Sequence, residues 1–129
     1  MAWIFNDEKP IYLQMTERIE RMIAAGEYKP GESVMSVREL ALQAAVNPNT
    51  AQRAMSELER RGLLATTRNM PRCVTCDIAA IENMRERIIL EAAEAYAETV
   101  CQLHADEVRA LETVRDRLNK KKKEEGTEG

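Results

Sequence analysis

The chain has 129 residues, 44% of them apolar, with three cysteines, one histidine and a formal net charge of −3. That length holds one ordinary domain, or a small domain with an appendage, and such a core folds without disulfides or metals. No apolar run approaches the roughly 20 residues that span a bilayer, and the N-terminus lacks the features of an export signal, so a cytoplasmic protein with reduced thiols and no membrane partner is expected.

Residues 1–9 form a lead-in whose Trp3, Ile4 and Phe5 should pack onto a neighbouring element. Pro10 opens a helix: Ile11, Met15, Ile19, Met22 and Ile23 recur at helical spacing, while Glu17, Arg18, Glu20 and Arg21 fall on the wet side. Gly26 ends it and Pro30-Gly31 supplies a turn. Ser36-Val37-Arg38-Glu39 is a capping box, Ser at the N-cap and Glu at N3, which starts a short helix running to about Ala44 and burying Val37, Leu40 and Ala41.

Only Ala45-Val46 separates that helix from the next start, where Asn47 is the N-cap and Pro48 the first helical position. Ala51, Ala54, Met55 and Leu58 make the buried face, and the spacing of the two helices is that of a helix-turn-helix. Asn49, Thr50, Gln52 and Arg53 place amide, hydroxyl and guanidinium groups in the first two turns, where the helix dipole is positive; such an end suits phosphates and base edges. Arg60 and Arg61 suit the C-terminal end of the dipole, and Gly62 closes the helix.

Leu63 to Thr67 then reads as a strand, Arg68 to Pro71 as a turn and Arg72 to Thr75 as a returning strand, which together make a wing. Between Ser36 and Thr75 six arginines stand against three glutamates, whereas from Ile78 onward nine basic residues meet twelve acidic ones. The positive charge is therefore local to the helix-turn-helix and wing.

From Asp77, an N-cap, no Gly or Pro occurs until Gly126, and Ile78, Ile81, Ile88, Ala92, Tyr96, Val100 and Leu103 repeat near every 3.5 residues. A second segment from about Asp106 to Lys120 carries Val108, Leu111, Val114 and Leu118 on one face. A short turn is expected at Leu103-His104-Ala105-Asp106, a single long helix being the alternative. The predicted architecture is mainly α with a small β-hairpin: a winged helix-turn-helix over 1–76, a helical hairpin over 77–120 and a frayed tail over 121–129.

A lone helical hairpin with apolar stripes on two faces cannot bury both against itself. The simplest partner is a second copy of the chain, and Ile81, Ile88, Ala92, Tyr96, Val100, Leu103, Leu111 and Leu118 are the residues expected in that contact. A dimeric bundle of this kind also has room for a small apolar pocket, hence for a small-molecule effector.

Pro10-Ile11-Tyr12-Leu13-Gln14, Tyr28-Lys29-Pro30-Gly31, Ser36-Val37-Arg38-Glu39-Leu40-Ala41 and Val46-Asn47-Pro48-Asn49-Thr50, in this order and spacing, closely resemble the GntR family of bacterial transcription regulators over about Pro10 to Thr75. The short helical C-terminal part resembles the YtrA subfamily, whose tail is a dimerising helical hairpin. The resemblance implies a winged-helix DNA-binding domain in which Arg38 contacts the backbone or a base edge, and in which Asn47, Pro48, Asn49, Thr50, Gln52 and Arg53 enter the major groove. Two departures stand out. Asn69-Met70-Pro71 occupies the wing tip where the family usually has Gly, with Cys73 on the returning strand, and Pro lacks the N–H and the flexibility of Gly. Val34-Met35-Ser36 replaces the usual Leu-Pro-Ser, a change expected to affect packing only.

Cys73-Val74-Thr75-Cys76 has C-x-x-C spacing but no second ligand pair, so no metal or other cofactor is expected, and Cys73 reads as the buried apolar position of the wing. His104 reads as a turn residue. No nucleophile-base arrangement or glycine-rich phosphate loop is present, which argues against an enzyme. Arg68 and Arg72 read as phosphate or minor-groove contacts. The expected function is a homodimeric repressor on a pseudo-palindromic, double-stranded operator; the alternative is a winged-helix module whose Arg-rich face binds an acidic protein.

Overall fold

Pro10 lacks an N–H and sits extended at the N-cap of α1 (Ile11–Ala24), which the computed structural model places first among the described residues, 2–66 and 70–128. Gly26, with φ +81°, closes that helix. Met15, Ile19 and Ile23 point into the core, as their spacing predicts. The lead-in folds back on the outside of α1: Gln14 Nε2 donates to the carbonyls of Asn6 and Lys9, Trp3 stacks on Phe5, and Arg18 lies over the Trp3 ring at 4.1 Å. Ile4, expected to pack, is 85% exposed.

The capping box forms as read. Ser36 Oγ accepts from the Glu39 N–H at 3.2 Å and starts α2 (Val37–Ala44), which buries Leu40, Ala41 and Ala44, with Val37 half-buried. Ala45 then turns the chain in a left-handed conformation, φ 54° and ψ 47°, and Asn47 caps α3 (Pro48–Arg60) by accepting the Asn49 N–H at 2.8 Å. Ala51, Ala54, Met55 and Leu58 of α3 pack against α1 and α2, all at most 1% exposed.

β1 (Leu64–Ala65) and β2 (Cys73–Val74) pair antiparallel, with Leu64 opposite Val74 and Ala65 opposite Cys73. They are shorter than the predicted strands. Part of the predicted wing, Thr67 and the turn residues Arg68 and Asn69, lies outside the described residues. On its other side β2 meets the segment before α2: Val34 N–H donates to the Arg72 carbonyl and Val74 N–H to the Glu32 carbonyl, both at 2.9 Å. This register corrects the reading of Cys73. Val74 is the fully buried wing residue, and Cys73 is half-buried beside it, because facing residues of a strand alternate and it is Val74 that pairs with buried Leu64.

α4 (Ile78–Gln102) starts at Asp77, whose Oδ1 accepts the Ala80 N–H. The chain forms two compact units, Met1–Arg87 and Ile88–Gly129, so the first turns of α4 belong to the first unit. Ile81, 8% exposed and expected in a dimer contact, is buried there with Met84 in the core of the first unit. Glu20 is corrected in the same way. Expected on the wet side of α1, it is 2% exposed, with Oε1 3.0 Å from Arg61 Nη1 and Oε2 2.8 Å from Arg87 Nη2. Two guanidinium groups reached from distant parts of the sequence make its burial affordable.

In the second unit α4 ends at a turn in which His104 takes φ 53°, and Asp106 caps α5 (Glu107–Glu128) by accepting the Arg109 N–H at 3.1 Å. The turn, and not the single long helix, is what forms. Tyr96 Oη donates to the Ala110 carbonyl at 2.8 Å and links the two helices. α5 runs past Lys120, where a frayed tail was expected, because Lys and Glu are good helix formers and no Gly interrupts before Gly126.

Candidate nucleic-acid interface

Two helix starts carry the polar residues singled out from sequence. The Ser36 cap sets Arg38 in the first turn of α2, exposed, and the Asn47 cap does the same for Pro48 and Asn49 at the start of α3. A left-handed residue between them lets α2 stop and α3 start within three residues. Opposite the buried Ala51-Ala54-Met55-Leu58 face, α3 presents Asn49, Gln52, Arg53 and Ser56 to solvent, with Thr50 half-buried at the edge.

Side-chain contacts along this face differ in kind. Gln52 Nε2 donates to Ser56 Oγ at 3.0 Å. The Arg53 guanidinium carbon lies 3.9 Å from the centroid of the Tyr12 ring on α1. Toward the C-terminal end of α3, Arg60 and Arg61 both donate to Glu57, whose carboxyl is held down to about 2 chiefly by the hydrogen bonds from Arg60 and then Arg61. Arg60 and Arg61 therefore serve carboxylates and not only the helix dipole.

Arg72, expected to reach phosphate or the minor groove, is half-buried in the free chain and its Nε pairs with Glu59 of α3, which also accepts from Thr66 Oγ1 at 2.8 Å. Arg72 lowers the Glu59 carboxyl accordingly and braces the wing against α3. Arg68 lies outside the described residues. Sequence reasoning missed Tyr12, Ser56 and Glu59. The spacing of Ser56 from Gln52, one turn along the same face, was a usable signal; the other two act across elements and left none.

Cys73, Cys76 and Cys101 are free thiols, and no group of three or more His, Cys, Asp or Glu side chains among the described residues is placed to hold a metal ion. No helix among them is long and apolar enough to cross a membrane.

Residues 11–71 match the family described as bacterial regulatory proteins, gntR family. A solved GntR family transcriptional regulator from Listeria monocytogenes is similar throughout, at 34% identity and TM-score 0.81, covering 87% of this chain and 98% of its own. The chain belongs to the GntR family. Among curated GntR-like relatives in Bacillus subtilis (strain 168), the HTH-type transcriptional regulator YhcF is 32% identical over 86% of this chain and 92% of its own length. The HTH-type transcriptional repressor YtrA of the same organism is 44% identical over 46% of this chain and 45% of its own. The GntR fold also aligns with the DNA-binding domain of AraR solved in complex with operator ORX1, at 26% identity and TM-score 0.52, over 56% of this chain and 93% of that one. This GntR chain is a helix-turn-helix transcription regulator.

Proposed function

We propose that this regulator binds operator DNA with the face formed by Arg38, Asn47, Pro48, Asn49, Thr50, Gln52 and Arg53, and that it acts as a homodimeric repressor. The observation that carries the reading is the exposed polar face at the capped start of α3, on a domain similar to one crystallised on its operator. Asn and Gln can pair bidentately with adenine and Arg with guanine, and the helix N-terminus adds N–H groups that suit phosphate. With Arg72 paired to Glu59, Arg38 and Arg53 are, among the described residues, cations that this face offers.

Dimerisation is supported by the second unit. Tyr96, Leu103, Val108, Leu111 and Leu118 are 38–72% exposed in the single chain, a stripe of apolar surface that a second copy would bury. On α4, Ile88 and Ala92 precede Tyr96 and Val100 follows it. A two-fold dimer reads half-sites about one helical turn apart, and a dimer seated over a promoter excludes polymerase, which makes repression the natural outcome. The reading includes a cytoplasmic, non-enzymatic protein gated by a small-molecule effector. A thermal-shift screen of small metabolites with and without operator tests the gating, a ligand that stabilises the free protein and weakens operator binding being the expected sign.

Fluorescence anisotropy with DNA from upstream of the protein's own gene tests the interface. Binding should be sequence-dependent and salt-sensitive, and Arg38→Ala and Arg53→Ala should each weaken it and lower the slope of log K against log salt by about one where the partner is a phosphate. Unchanged binding in both variants would remove the assignment of this face, and binding to an acidic protein with none to the upstream DNA would favour an adaptor.

A further inference from the structure

We infer that Tyr12, in the first turn of α1, is a positioning residue for the DNA-reading face: its ring holds the Arg53 guanidinium in place without consuming it. The inference rests on the proposal that this face meets DNA. The Arg53 guanidinium lies 3.9 Å from the ring centroid, and Tyr12 is half-buried on α1, the helix that packs on α3. Its backbone carbonyl also accepts from Thr16 Oγ1 at 2.8 Å.

Arg53 differs from the other arginines near it. Arg60, Arg61 and Arg72 are each held by a carboxylate, Glu57, Glu20 or Glu59. A carboxylate fixes a guanidinium by cancelling its charge and occupying its N–H donors, so such an arginine must break an ion pair before it can bind phosphate. An aromatic face does neither. The donors of a guanidinium stacked on a ring lie in its own plane and point outward, leaving the planar fork available for a phosphate or for the O6 and N7 of guanine. The gain is entropic: a long side chain held in one region before DNA arrives loses less freedom on binding.

The test compares wild type, Tyr12→Phe, Tyr12→Leu, Arg53→Ala and the double variant Tyr12→Leu/Arg53→Ala by operator anisotropy, each checked by thermal unfolding. Tyr12→Phe keeps the ring and should bind within about twofold of wild type, while Tyr12→Leu should bind about fivefold more weakly, the scale of an exposed cation–π contact. The double variant should be no weaker than Arg53→Ala alone. Should Tyr12→Leu unfold, Tyr12→Met carries the same comparison. Weakening by Tyr12→Phe as large as by Tyr12→Leu would assign the effect to the hydroxyl and overturn the inference, as would additive losses in the double variant. If Arg53→Ala alone binds operator normally, the inference about Tyr12 is overturned while the DNA-face proposal still stands on Arg38; if Arg38→Ala binds normally as well, the DNA-face proposal falls too.

Discussion

Glu57 and Glu20 each serve two guanidinium groups, and the difference in their surroundings sets what each does. Glu57 sits at the end of α3 with Arg60 and Arg61, and the hydrogen bonds of these two hold its carboxyl at about 2 in place of the usual 4.5. Because the folded value is the lower one, this stability is present above about 4.5 and is lost as pH falls toward about 2. Glu57→Gln should therefore be less stable than wild type at neutral pH, and the gap should close across that window in acid-unfolding curves followed by circular dichroism. Glu20 is buried, and Glu20→Gln removes the charge that Arg61 and Arg87 share there, while Arg61 keeps its bond to Glu57. Both guanidinium groups are partly exposed, which discounts the usual penalty, so Glu20→Gln should cost about 2 kcal/mol and lower Tm by roughly 10 °C.

Between α2 and α3 the chain spends a left-handed residue on Ala45, where a side chain is unfavourable. Ala45→Gly relieves that strain at the expense of a more flexible unfolded chain, and the balance is a gain of about 0.5 kcal/mol, read as a higher denaturant midpoint with operator affinity unchanged. Elements like this one were legible because their causes are local. The Ser36 and Asn47 caps, the Pro48 start and the buried face of α3 all lie within a few residues of what they control. Glu20 was misplaced because its partners come from the C-terminal cap of α3 and from α4, and helical periodicity carries no information about a carboxylate met by Arg61 and Arg87. The wing failed for a related reason. A two-residue pairing gives alternation too little length to show which of Cys73 and Val74 faces inward, and Arg72 looked available until Glu59 was found beside it.

For the whole molecule, the contrast between units is one of completeness. The first unit buries its apolar face within the chain, from Met15 to Met84, whereas the second leaves Leu103, Leu111 and Leu118 more than half exposed. Leu111→Glu should leave the first unit folded, shift the protein to monomer in sedimentation velocity, and weaken operator binding more than either half-site contact would by itself, since the two DNA-binding units would no longer be joined. Trp3, the sole tryptophan, adds something the chain could not otherwise offer. Stacked on Phe5 and covered by Arg18, it makes indole emission a private signal of the first unit, while far-UV ellipticity sums the helices of both. The molecule thus carries a built-in spectroscopic label that separates the melting of its helix-turn-helix unit from that of its C-terminal helices.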